Sequence, residues 1–263
     1  RRRPEPGPLM AEQRYVYLAT LDGADIDLRF LARCFSEEVC RVVAIEGQDG
    51  EAPQYQLHSR ELVLERWVRE ELVTRGGASA SVEVDQNWPL VEAKVERLLR
   101  GMHGAARLVK RQFQPVRVSG LHKLTLKGDW LGSAGGDDTW RSPYALPSEQ
   151  HGLPELMRGW AALGLRDNAA DLVLHLLGSL PVNWVMISVI VDVIAKDVGG
   201  HQQLAEARWL DAETLQSLNA ELPAETPWER SANIDLYDAL YAVQVLVERW
   251  LSNKFEAETI TRS

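Results

Sequence analysis

The hydrophobic residues in the second half of the chain recur at helical spacing, most densely over residues 180–200. The members of one helical stripe in this segment are Trp184, Ile187, Val191 and Ile194. Further valines lie beside that stripe, and a helix apolar over so much of its circumference needs packing partners on several sides. The pattern therefore predicts that this segment is the central helix of a helical domain.

Shorter helical patterns flank the central helix, and no strand pattern follows residue 152. The other predicted helices cover residues 154–163, 167–179, 201–207, 211–219 and 234–255. The two longest helices are expected to pack against each other along their apolar sides. The sequence predicts an all-α helical-bundle domain over residues 153–255 and a tail at 256–263.

The first half of the chain mixes strand-like and helix-like spacing. The predicted strands are 14–20, 38–47, 55–57 and 78–85, the predicted helices are 59–75 and 87–102, and residues 28–35 fit either structure. A hairpin is predicted over 113–128, with its turn at Ser119 and Gly120. Because strands and helices are interleaved, residues 14–130 are predicted to form an α+β domain.

Glycine and proline mark the boundary between these predicted domains. Residues 131–152 are rich in both, which favours a linker. Residues 1–13 are charged and proline-rich and lack the apolar core of a signal peptide, so a disordered tail is expected there. The predicted fold class is an α+β N-terminal domain followed by an all-α helical-bundle C-terminal domain.

The composition indicates the cellular compartment and the overall charge of the protein. The 263 residues are 45% hydrophobic and 25% charged, as in soluble globular proteins. The longest apolar run is shorter than the ~20 residues of a membrane span, so no membrane partner is expected. Cys34 and Cys40 are the only cysteines, which favours reduced thiols and a cytoplasmic protein. The net charge of −9 disfavours binding to nucleic acid.

A basic tract over residues 97–127 is the best candidate for a nucleic-acid-binding surface. The candidate binding residues in it are Arg107, Lys110, Arg111, Phe113 and Lys123. An aromatic ring among cations suits stacking on single-stranded nucleic acid. A solvated basic face is the alternative interpretation of the same pattern.

The sequence predicts no metal site and no cofactor. Its six histidines are scattered, without the close His/Cys spacing of a metal site. The glycine-rich residues 132–136 lack the Lys-Ser/Thr ending of a phosphate-binding loop. His175 lies within a predicted helix and is interpreted as a core or boundary residue.

Two arginine–histidine pairs, Arg97 with His103 and Arg117 with His122, have the composition that metal-independent ribonucleases use. In such pairs the arginine holds a phosphate while the histidine transfers protons near neutral pH. Both pairs are expected to be coincidences of an arginine-rich segment, because catalysis would require the shifted pKa of a buried site.

The segment VNWVMISVIVDVIAKDVGG, followed by RWLDAETLQSLNAEL and a final amphipathic helix, resembles the helical domains of the HEPN superfamily. The resemblance implies dimerisation or ribonuclease activity and a bacterial stress or phage-defence setting. Ribonucleases of that superfamily place a histidine a few residues after an arginine near the last helix. Arg230 matches that arginine, but Ser231 follows it and cannot supply a proton at neutral pH. The candidate catalytic residues that remain are Arg230, His175, Arg97 and His103.

These observations predict a non-enzymatic binding or assembly protein of the cytoplasm, acting with a protein partner or as a homodimer. A metal-independent HEPN-like ribonuclease is one alternative. A single-stranded nucleic-acid binder acting through residues 97–127 is the other.

Overall fold

The computed structural model describes residues 14–36, 40–47, 51–65, 68–75, 78–85, 87–135, 153–179, 182–219 and 234–262. Within these ranges an α+β region built on an antiparallel sheet is followed by a helical region, which confirms the predicted fold class. The helices are α1 (Asp25–Cys34), α2 (Trp88–Val109), α3 (Leu153–Gly164), α4 (Asn168–Gly178), α5 (Trp184–Val198), α6 (His201–Glu206), α7 (Ala212–Asn219) and α8 (Leu236–Arg262). The strands are β1 (Arg14–Asp22), β2 (Cys40–Ile45), β3 (Gln54–Ser59), β4 (Val63–Glu65), β5 (Val68–Arg75), β6 (Ala78–Asp85), β7 (Arg117–Thr125) and β8 (Trp130–Ala134).

The larger sheet has the strand order β2-β3-β1-β7-β8, and β4 also pairs with β1. The β1–β3, β1–β4, β2–β3 and β7–β8 pairs are antiparallel, and β5 and β6 form a separate antiparallel pair. The series β1-α1-β2-β3-α2-β7, with the strand order β2-β3-β1-β7, is the split β-α-β or ferredoxin-like arrangement. Proteins of many functions share it, so the topology alone predicts no activity.

The chain divides into two compact units, each described by itself. The sheet unit comprises Arg1–Asp22, Glu37–Glu96 and Val118–Ala145, and the helical unit comprises Gly23–Ser36, Arg97–Arg117 and Leu146–Ser263. Helix α1 and the second part of α2 therefore belong to the helical unit, although the sequence placed them in an N-terminal domain at 14–130. The period of a helix shows which face is apolar, but it does not show which other elements cover that face.

Two predicted elements differ from the observed ones. Residues 59–75, predicted as a helix, contain a 3-10 turn at Arg60–Leu62 and then strands β4 and β5. The hairpin turn expected at Ser119 and Gly120 lies after Thr125 instead, where the Gly128 N–H donates to the Thr125 carbonyl over 3.0 Å. Strand β8 also occupies the start of the predicted linker at 131–152, and residues 136–152 lie outside the described residues.

Tyr17 is the centre of the sheet unit's core. Its side chain is fully buried on β1, and its ring packs edge-to-face with the Trp88 ring, with centroids 5.3 Å apart. Asn87, the first residue of the predicted helix at 87–102, donates its amide N–H groups to the Tyr17 hydroxyl over 3.0 Å and to the Glu65 carbonyl over 2.9 Å. The amide thus ties the start of α2 to β1 and β4.

Helix α5 is the central helix of the helical unit, as predicted. Ile187, Ile190 and Ile194 are fully buried, and α4, α6, α7 and α8 all pack against this helix. The Asn183 side chain accepts a hydrogen bond from the Met186 N–H at its start, and Gly199 ends it in the left-handed conformation at φ 105°.

Helices α2 and α4 approach each other through two glycines. A methyl group at Gly104 would overlap the carbonyl oxygen of Leu174. A methyl group at Gly178 would lie 2.6 Å from the Arg100 carbonyl oxygen and 3.2 Å from the Gly104 nitrogen. The backbones are therefore too close for any side chain at either position.

A partly exposed ion cluster joins three helices of the same unit. The Lys254 ammonium on α8 lies 2.6 Å from a carboxylate oxygen of Asp167 and 2.8 Å from one of Asp197. Asp167 caps α4 by accepting the N–H groups of Ala169 and Ala170, and Asp197 lies in the last turn of α5. Burial alone would lower the pKa of Lys254, but the two carboxylates outweigh it and raise the pKa.

Candidate binding cleft

Arg107, predicted to bind nucleic acid, is buried inside the helical unit. Its guanidinium donates to the carbonyl oxygens of Leu177 over 2.6 Å and Ser179 over 2.7 Å, at the C-terminal end of α4. Only 7% of the residue is exposed, and burial lowers the pKa of its guanidinium. The side chain satisfies helix-end carbonyls that would otherwise lack partners, so it is not part of a binding surface.

Replacing Arg107 with alanine is expected to destabilise the helical unit by about 2 kcal/mol, because the two carbonyl oxygens would lose their donor in a buried place. Thermal unfolding followed by circular dichroism measures this loss. Arg111→Ala is the control, since Arg111 is exposed and its guanidinium contacts only the face of the Tyr241 ring among the interactions of the helical unit described here. Equal melting temperatures for the two variants would contradict the structural role of Arg107.

The other candidate binding residues of the basic tract have different surroundings. Lys110 pairs with the buried carboxylate of Asp27 at 2.6 Å, and Phe113 is 1% exposed. The Lys123 ammonium belongs to the sheet unit and lies 3.9 Å from the centre of the Tyr15 ring. The exposed guanidinium of Arg111 stacks on the Tyr241 ring of α8 at 3.9 Å.

The candidate catalytic residues are not brought together as an acid–base pair. Arg97 forms an ion pair with Asp171 at 3.1 Å. His103 is 5% exposed, its Nε2 has no hydrogen-bond partner among the described residues, and burial lowers its pKa to about 4. Burial likewise lowers the pKa of the half-buried His175. Arg230 lies outside the described residues.

The second arginine–histidine pair and the cysteines are also held by the core. The His122 ring is buried and its Nε2 lies 2.8 Å from the Thr20 hydroxyl on β1. Burial raises the pKa of the Cys34 thiol to about 11 and that of Cys40 to about 12, so both stay protonated at neutral pH. Across the described ranges, no group of three or more His, Cys, Asp or Glu side chains is placed to hold a metal ion.

A cleft of about 820 Å³ opens between the loop that joins α6 to α7 and one face of α8. Its apolar walls include Trp209, Leu210 and Leu215 on one side and Tyr241 and Val245 on the other. This volume falls within the range of clefts that hold small ligands, about 300–1,000 Å³. The arrangement of aromatic and aliphatic side chains suits burial of an apolar body.

Charged side chains line the cleft as well. They are Arg208, Asp211, Asp238 and Arg249. One guanidinium N–H of Arg249 donates to the Trp209 carbonyl over 3.1 Å, which ties the two walls together. The cleft therefore has an apolar interior with charged groups that can fix the orientation of a ligand.

The geometry defines a two-unit protein with an α+β sheet unit and a helical unit that carries an open, largely apolar cleft. No family model matches this chain, and comparisons with curated proteins and with solved structures give no match either. Of the helices in the described ranges, none combines the length and apolar character that crossing a bilayer requires.

Proposed function

We propose that the protein is a non-enzymatic binding protein and that the cleft of the helical unit is its ligand site. The cleft itself carries this proposal, because its volume and its aromatic walls are those of a ligand pocket. The predicted catalytic side chains support it in a second way. His103 is buried and neutral near pH 7, and Arg97 is engaged by Asp171, so neither is free to act on a phosphodiester.

The two buried thiols support a reducing compartment, and we place the protein in the cytoplasm on that basis. Binding in the cleft is compatible with assembly with a protein partner or a second copy. An apolar side chain of such a partner has the same chemistry as the body of a small ligand.

N-phenyl-1-naphthylamine, an uncharged dye that fluoresces in apolar surroundings, tests the cleft. The full chain is expected to bind it saturably, and Val245→Lys is expected to weaken binding about tenfold by placing a charge in the apolar wall. Val189→Lys is the matched control, because Val189 is 37% exposed on α5 and does not line the cleft. Absence of saturable binding, or equal loss in both variants, would overturn the proposal.

An RNA-cleavage assay without divalent metal tests the non-enzymatic part of the proposal. The full chain is expected to leave single-stranded RNA intact at neutral pH. Cleavage that disappears in Arg230→Ala would instead establish the HEPN-like ribonuclease. The protein would then have an active site in addition to the cleft.

A further inference from the structure

We propose that the cleft selects ligands that join an anionic group to an apolar body. This inference rests on the proposed function, since it specifies the chemistry of the ligand in the same cleft. Its starting point is Arg208, a residue that lines the cleft and whose guanidinium makes no hydrogen bond or ion pair with the described residues. A cation with no partner at the edge of an apolar cleft is a binding group for an anion.

The backbone of Arg208 has a conformation that is unusual for an arginine. It is the one residue other than glycine with a positive φ in the described chain, at 52°. It follows the end of α6, a place where the left-handed conformation is usually supplied by glycine or asparagine. Glycine would adopt this conformation without steric cost, so the protein is less stable with arginine at this position than it would be with glycine. We therefore expect the arginine side chain to have a role that glycine could not supply.

Two further arginines add positive charge in the cleft or against one of its walls. Arg249 spends one N–H on the Trp209 carbonyl, and a guanidinium has five N–H groups, so four remain for a ligand. Arg111 lies against the ring of Tyr241, which lines the cleft. A planar cation that contacts an aromatic wall favours an anionic ligand with a flat body.

The two carboxylates of the cleft do not cancel this charge, because both lie at helix N-termini. Asp211 accepts hydrogen bonds from the N–H and the hydroxyl of Thr214 at the start of α7, over 2.8 and 2.7 Å. Asp238 lies in the first turn of α8. The positive end of a helix dipole offsets part of a negative charge at such positions.

8-Anilinonaphthalene-1-sulfonate tests the inference, because it carries the same aromatic body as N-phenyl-1-naphthylamine with a sulfonate added. Arg208→Gly in the full chain is expected to weaken sulfonate binding about fivefold and to leave binding of the uncharged dye within about twofold. Raising KCl from about 0.05 M to about 0.5 M should weaken only the sulfonate. Arg208→Gly should also unfold at a higher temperature than the wild type, which shows that the loss is not caused by misfolding.

Arg33→Gln is the matched control, since Arg33 is exposed on α1 and does not line the cleft. Arg208→Gln should repeat the loss of sulfonate binding, whereas Arg33→Gln should bind both dyes as the wild type does. If both dyes bind and no arginine or salt dependence appears, anion selection is wrong while the cleft remains a binding site. If neither dye binds, the proposed function itself fails.

Discussion

Gly104→Ala is expected to destabilise the helical unit by about 3 kcal/mol or more. The added carbon would overlap the Leu174 carbonyl oxygen, which belongs to the backbone of α4 and cannot rotate away. Gly178→Ala should have a similar effect, because its methyl group would lie 2.6 Å from the Arg100 carbonyl oxygen. Urea unfolding followed by circular dichroism measures both losses.

Gly101→Ala is the matched control for these two variants. Gly101 lies on the same helix, and a methyl group there would meet no atom within 4 Å. The substitution should stabilise the protein by up to about 1 kcal/mol, because alanine favours a helix more than glycine does. Similar urea midpoints for Gly101→Ala and Gly104→Ala would show that α2 and α4 do not touch through their backbones.

Acidification from pH 7 to pH 5 is expected to remove about 2 kcal/mol of stability for each of two buried histidines, His58 and His103. Burial lowers the pKa of each from its usual 6.5 to about 4. Between these values the unfolded chain takes up protons that the folded chain excludes. Stability is therefore complete above pH 6.5, falls as the pH decreases, and reaches its lowest value from this source below pH 4.

Replacing the histidines separates their contributions. His103→Leu should flatten the pH dependence of the helical unit, because leucine fills the site beside Phe113 without a titratable group. His58→Val should do the same for the sheet unit. Urea midpoints at pH values from 4.5 to 7 avoid the lowered pKa of Asp167, whose contribution is lost only below the ordinary value of 3.8. A pH dependence unchanged in the double variant would contradict the burial of both imidazoles.

The caps of the helical unit could be predicted because they are local. Asp167, Asn183 and Asp211 each accept the N–H of a residue two or three positions later, and Gly199 ends its own helix. These signals lie within one turn of the chain and need no knowledge of distant partners. The central helix was nevertheless predicted over residues 180–200, whereas α5 begins at Trp184, after its cap Asn183, and ends at Val198.

Strand β5 could not be recognised by the same reasoning. Its partner is β6, and the pairing runs from Val68 opposite Asp85 to Arg75 opposite Ala78. The spacing of Leu62, Trp67 and Leu72 is compatible with a helix, so the local period pointed away from a strand. The two glycines between the strands are a hairpin signal that the helical interpretation concealed.

The cleft was invisible in the sequence for a related reason. Its walls come from the loop after α6 and from α8, which are distant in the sequence because α7 lies between them. Arg208 is an ordinary exposed arginine until its backbone conformation is known. The predicted basic tract supplied one neighbour of the cleft, Arg111, whereas Arg97, Arg107, Lys110 and Lys123 have partners elsewhere.

The length of α8 limits how far the chain can be shortened at its C-terminal side without loss of stability. The sequence placed a tail at residues 256–263, but the helix continues to Arg262. Lys254, near that end, is the only charge that neutralises both Asp167 and Asp197 within the cluster described above. Shortened versions of this protein must therefore retain residue 254, or both carboxylates will lose the ammonium group that they share.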